Sequence, residues 1–88
     1  MGHIRIRYWA GAKAAAGTPE DTVDADGPVS LAEVMRRAVE LHPDGRLASV
    51  LQACSALVGD RPVKRLDPET VLVEPGESVE FLPPFAGG

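Results

Sequence analysis

Eighty-eight residues, 44% of them hydrophobic and 25% charged, suit one small folded domain; a second core has no room, and disorder would need fewer apolar side chains. The formal net charge of −4 and the dispersal of Lys and Arg argue against nucleic acid as the main partner, because phosphate binding needs clustered cations. One cysteine excludes an internal disulfide framework and any cysteine-based metal cluster built by this chain alone.

No stretch approaches the length of a membrane span, and the N-terminus lacks the apolar core and cleavage site of a secretory signal. A cytoplasmic protein with no membrane partner is therefore expected. Acidic residues crowd 19–26 and 67–80, which favours encounter with a basic partner surface or simply keeps the domain soluble.

From His3 to Trp9 the residues alternate, with Ile4, Ile6 and Tyr8 on one face and His3, Arg5, Arg7 and Trp9 on the other. The alanine-rich piece Ala12–Ala16, flanked by Gly11 and Gly17, reads as one helical turn or a loop. Thr22–Ala25 is a short strand returning beside the first, and Asp26-Gly27-Pro28 is a turn. Ser30 is a good N-cap, with Glu33 completing a capping box. Leu31, Val34, Met35, Ala38, Val39 and His42 then recur at helical spacing, and Pro43-Asp44-Gly45 stops that helix.

A shorter helix carries Leu47, Val50, Leu51 and Cys54 on one face. Ser55–Val58 reads as a strand and Gly59-Asp60-Arg61-Pro62 as a turn. Asp67-Pro68-Glu69 suggests another turn, and Pro75-Gly76 a strong one before a last strand, Ser78–Leu82. The order is hairpin, helix, short strands and terminal strand, a two-layer α+β design. The whole chain, 1–88, is expected to be one domain, with 83–88 an extended, flexible tail.

That tail reads Pro83-Pro84-Phe85-Ala86-Gly87-Gly88. Two consecutive prolines remove two backbone donors, so ladder pairing should end there. At roughly 3.1 Å per extended residue the tail projects on the order of 15–20 Å. Two glycines put no side-chain bulk beside the terminal carboxylate and suit a narrow channel in another protein. Activating a carboxylate needs ATP, and the sequence has no Gly-rich phosphate loop with a following lysine. The activating enzyme is therefore a partner.

The ending Glu77-Ser78-Val79-Glu80-Phe81-Leu82-Pro83-Pro84-Phe85-Ala86-Gly87-Gly88 resembles the C-terminal signature of molybdopterin synthase small subunits, in the ubiquitin-like family that includes the thiamine sulfur carrier. Pro75-Gly76 matches the approach to it. Ile6-Arg7-Tyr8-Trp9-Ala10-Gly11-Ala12-Lys13 resembles the family's first strand and the alanine-rich loop after it, and Ser30-Leu31 opens the helix where such carriers open theirs.

The resemblance implies a β-grasp fold, with a mixed sheet packed on one main helix plus a short second one. It also implies a cycle. A ubiquitin-activating-like adenylyltransferase adenylates the Gly88 carboxylate, and a sulfur donor protein supplies the sulfur of a C-terminal thiocarboxylate. The tail then enters the large synthase subunit, in a heterotetramer, and delivers sulfur to precursor Z. In this picture Gly87 and Gly88 carry the chemistry, while Pro83, Pro84, Phe85 and Ala86 meet the partner. The chain binds no cofactor stably and is no complete enzyme alone. Related carriers for thiamine, cysteine or another metabolite, a protein modifier and a non-covalent adaptor are the alternatives.

Strand parity adds a surface. In a β-grasp sheet the first and last strands are neighbours, so Trp9 and Leu82 lie together on the face away from the helix, beside the tail root. Both suit docking, and the family resemblance implies that the corresponding patch is used, with Pro62 a third member. Trp9 folded back onto the core is the other reading. Phe85 either packs at a partner's channel entrance or covers its own domain edge. Lys13 matches a basic position that pairs with an acidic partner residue, or is a solvated lysine. Cys54, on an apolar helix face, reads as a small hydrophobe rather than a nucleophile. His3 and His42 have no metal-ligand spacing with it.

Overall fold

The computed structural model describes residues 2–43, 46–63 and 67–83. The alternating run forms strand β1 (Gly2–Tyr8), followed by helix α1 (Ala10–Ala16) and strand β2 (Glu20–Ala25). A two-residue strand β3 (Val29–Ser30) leads into helix α2 (Leu31–Leu41), then helix α3 (Arg46–Ala53). Strands β4 (Ser55–Val58), β5 (Arg61–Val63), β6 (Leu72–Val73) and β7 (Ser78–Leu82) complete the described chain.

The main sheet has the order β2-β1-β7-β4-β5, and β3 pairs separately with β6. β1 and β7 run parallel, with Ile6 beside Val79 and Tyr8 beside Phe81; every other pair in the sheet is antiparallel. The first and last strands are thus neighbours at the sheet's centre. Ile4, Ile6, Tyr8, Val58, Val79 and Phe81 turn inward and meet Leu31, Val34 and Ala38 of α2 and Leu47 and Leu51 of α3 in one buried cluster. The α+β class and mixed sheet are as expected.

The alanine-rich piece is longer than a single turn. Ala12, Ala15 and Ala16 are buried, and side chains this small let α1 lie against the sheet and α3. Gly17 ends α1 in the left-handed region at φ 76°, its N–H donating to the Lys13 carbonyl, a conformation glycine takes without a steric penalty. The fold therefore has a third helix beyond the two expected.

At the start of α2 only one arm of the capping box forms. Ser30 Oγ accepts from the Glu33 N–H at 3.0 Å, while the Glu33 carboxylate turns to Arg36 and Arg37. Arg37 and Arg36 hold that carboxyl below the usual range. The neighbouring free N–H groups are met by the loop before β6: Leu31 donates to the Val71 carbonyl and Ala32 to that of Pro68.

Arg61 and Pro62, expected in a turn, belong to strand β5; the turn is only Gly59-Asp60. The proline is tolerated because β5 is at the sheet edge. The β3–β6 pair was too short to show a period. His42 follows the last residue of α2, and its ring reaches the Asp21 carboxylate.

Asp21 also accepts from the Tyr8 hydroxyl at 2.9 Å, and the Tyr8 ring is stacked on Phe81 and nearly perpendicular to His42. This cluster ties β1, β2, β7 and the end of α2 together. Burial first, then the Asp21 hydrogen bond and charge, push the Tyr8 hydroxyl far above its ordinary value. Unfolded tyrosine ionises near pH 10, so above that pH the unfolded chain gives up a proton that the folded chain keeps. Stability contributed by Tyr8 is complete below about pH 10 and falls as pH rises further. Tyr8 is the chain's single tyrosine. Its tyrosinate absorbance should therefore appear together with loss of circular dichroism; tyrosinate forming near pH 10 in a folded chain would contradict the cluster.

Candidate functional site

The face of the sheet away from the helices is set by register. Across it run Glu20, Arg7, Glu80, Leu57 and Pro62, each opposite the next on its neighbouring strand. One step along, Leu82 stands opposite Ser55. The Trp9 N–H donates to the Phe81 carbonyl at 3.0 Å, so Trp9 continues the β1 ladder toward Leu82. Leu57, Pro62, Leu82 and Trp9 thus share the outer surface with the charged pair Arg7 and Glu80.

Trp9 is 41% exposed and does not fold onto the core. Its indole Nε1 donates to Glu80 Oε1 at 2.9 Å, and the Arg7 guanidinium lies 5.1 Å from the ring centroid. A cation over an exposed aromatic face is worth about 0.5–1 kcal/mol, enough to bias one rotamer. A large side chain already fixed in this way loses little entropy when a partner covers it.

Directly after Trp9 the backbone makes an uncommon turn. Ala10, the next residue, sits in the left-handed region at φ 49°. That reversal carries the chain from β1 into α1 within one residue and leaves Trp9 extended at φ −123° and ψ 148°. The sequence carried no sign of it, since alanine has no preference for this region.

Pro83, the last described residue, is exposed and lies at the root of the tail, one step beyond Leu82. It borders a groove with Trp9 and with residues of α1 and α3. The expectations for Pro84, Phe85, Ala86, Gly87 and Gly88 fall outside the described residues. Lys13 is not brought to this edge; it lines a separate cleft with Ala10, Gly17 and Pro19. Cys54 is half-buried at the groove, and burial pushes its thiol up, which keeps it protonated and agrees with the non-nucleophilic reading. Among the described residues no group of three or more His, Cys, Asp or Glu is placed to hold a metal. Leu57 is the member of the outer face that the motif reading missed; alternation within Ser55–Val58 was the signal for it.

No family model and no curated protein matches the sequence. Solved structures do match. Small archaeal modifier protein 1 of H. volcanii superposes with a TM-score of 0.77 at 18% identity, over 97% of this chain and 100% of that one. The fold is the β-grasp. Subunit 1 of molybdopterin-converting factor in its complex with subunit 2, from Helicobacter pylori, gives a TM-score of 0.63 at 19% identity, over 98% of this chain and 99% of that one. Urm1 of Trypanosoma brucei gives 0.72 at 17% identity, over 99% and 96%. A modifier protein and a molybdopterin-converting subunit therefore share this chain's β-grasp fold. Among the described residues no helix is long and apolar enough to cross a membrane.

Left-handed alanine costs about 1–2 kcal/mol, and glycine returns up to about 1 kcal/mol of that as lost chain entropy. Ala10→Gly should thus leave stability unchanged or raise it by up to about 1 kcal/mol, whereas Ala10→Val should lower it by more than about 1 kcal/mol. Chemical denaturation of the two variants checks this. Equal destabilisation by both would show that the left-handed turn at Ala10 is not present.

Proposed function

We propose that this chain is a sulfur carrier whose reacting group is the Gly88 carboxylate, and that molybdopterin synthesis is the pathway it serves. The observation that carries the reading is where β7 ends. Parallel pairing with β1 delivers Pro83 to the same edge as Trp9, so the Pro-Pro-Phe-Ala-Gly-Gly tail starts beside an apolar face. A partner gripping Trp9, Leu57, Leu82 and Pro62 would hold the tail root at a fixed distance from its own channel. Support also comes from the neighbour that is subunit 1 of a molybdopterin-converting factor, in complex with its subunit 2.

The chemistry then runs in two steps on a partner's surface. A Gly88 carboxylate oxygen attacks the α-phosphorus of ATP, and pyrophosphate leaves. The acyl carbon of the resulting adenylate accepts a hydrosulfide equivalent from a sulfur donor protein, and AMP leaves. This chain supplies the carboxylate and the docking face; the adenylyltransferase supplies the ATP site. The thiocarboxylate next enters a large synthase subunit, where its sulfur passes to precursor Z. A cytoplasmic setting agrees with the requirement for ATP.

The likeness to a small archaeal modifier protein favours a second reading. The same adenylate, attacked by a lysine amine, gives an isopeptide bond instead. Both readings share the first step.

The shared step is tested by pyrophosphate exchange into ATP, catalysed by the host's activating enzyme and dependent on this chain. Removal of Gly88 should abolish it. Leu82→Asp or Leu57→Asp should weaken binding to the activating enzyme by at least about 30-fold, the effect of burying a charge at an interface centre, while leaving the fold unchanged. Reconstitution with a large synthase subunit and precursor Z separates the readings: dithiolene formation supports the carrier, and adducts on target lysines the modifier. Exchange that survives loss of Gly88 contradicts both.

A further inference from the structure

The groove at the root of the tail shares Trp9 with the docking face just described but not Leu57, Pro62 or Leu82. It runs between α1 and α3 with a volume of about 330 Å³, walled by Trp9, Ala12, Val50, Ala53, Cys54 and Pro83. Among the described residues no charged side chain lines it, in contrast to the cleft between α2 and α3, which Arg36 and Glu40 border. An apolar cavity of roughly 150 Å³ already accepts a benzene ring. The groove thus has the size and chemistry for one aromatic side chain.

One such side chain begins within reach. Pro83 is both a wall of the groove and the residue from which 84–88 continue. Phe85 is two residues further, so its Cα lies within about 7 Å of the Pro83 Cα. It is the only large apolar side chain among residues 84–88. The prolines before it have φ held near −65°, which lowers the entropy that must be lost on docking.

We propose that Phe85 seats in the groove between α1 and α3, against Trp9, Val50 and Cys54, so that the tail rests on its own domain until a partner draws it off. Presenting Gly88 to a narrow channel then requires Phe85 to leave the groove, and a partner that offers Phe85 a second apolar site offsets that cost. The seat makes the tail's release part of recognition. It rests on the groove and on chain length, and holds whether the tail is destined for sulfur or for lysine.

The chain contains one tryptophan and one cysteine, and both border the groove, so each reports on it without labelling. The test compares the full chain with Phe85→Ala, with a chain ending at Pro83, and with a chain lacking only Gly87 and Gly88. Trp9 emission and the rate of Cys54 alkylation by iodoacetamide are measured on each, with circular dichroism confirming the fold. In Phe85→Ala and in the chain ending at Pro83, Cys54 should react at least about fivefold faster, as for a seat occupied about four-fifths of the time, and Trp9 emission should shift to the red. The chain lacking only the glycines should behave as the full chain. Equal rates and spectra in all four would overturn the proposal. Protection that grows with protein concentration would overturn it too, because a second copy would then fill the groove.

Discussion

In the parallel register of β1 and β7, Tyr8 lies beside Phe81 and both strands run out at the same edge of the sheet. An antiparallel pairing would send the two ends to opposite edges and separate Trp9 from Pro83 by the length of a strand. The parallel pair requires a long crossover, and the elements from α1 to β6 make it, with the three helices covering the inward face on the way. The candidate site follows from that one pairing: an outer face on which Leu57, Pro62 and Leu82 share space with Arg7 and Glu80, Trp9 at its corner and Pro83 beside it.

The pairing is held by side chains that interlock across layers. Tyr8 is stacked on Phe81, edge-on to His42 and hydrogen-bonded to Asp21, so a strand from each side and the end of α2 converge on one ring. In a domain this small, total stability is only a few kcal/mol. Loss of a single buried aromatic costs about 3–5 kcal/mol, which puts most of the fold at stake in one place. By contrast, the Arg36–Glu33–Arg37 group lies on the surface, where ion pairs contribute little.

Much of this was legible in the residues. Alternation in β1 and β7 separated inward Ile6, Tyr8, Val79 and Phe81 from outward Arg7, Trp9, Glu80 and Leu82, because a strand with one buried face cannot slip without exposing its core. Ser30 as N-cap was readable for the same local reason. What escaped depends on tertiary context. The left-handed turn at Ala10 and the strand at Arg61–Val63 are imposed by neighbours, not by propensity. The meeting of His42 with Asp21 joins residues 21 apart in sequence, which no local pattern encodes. Leu57 was a missed reading rather than a hidden one, since parity alone turns it outward.

The proposed function divides labour sharply. The domain would provide stability and an address, and Gly88 the reacting carboxylate, with the catalytic apparatus on a partner. The central claim is that Gly88 becomes a thiocarboxylate. Intact mass of the chain after incubation with ATP, the host's activating enzyme and its sulfur donor tests this most directly. Replacement of one C-terminal oxygen by sulfur, absent when Gly88 is removed, is the predicted result. An unchanged mass, with the activating enzyme shown competent on another substrate, would contradict it.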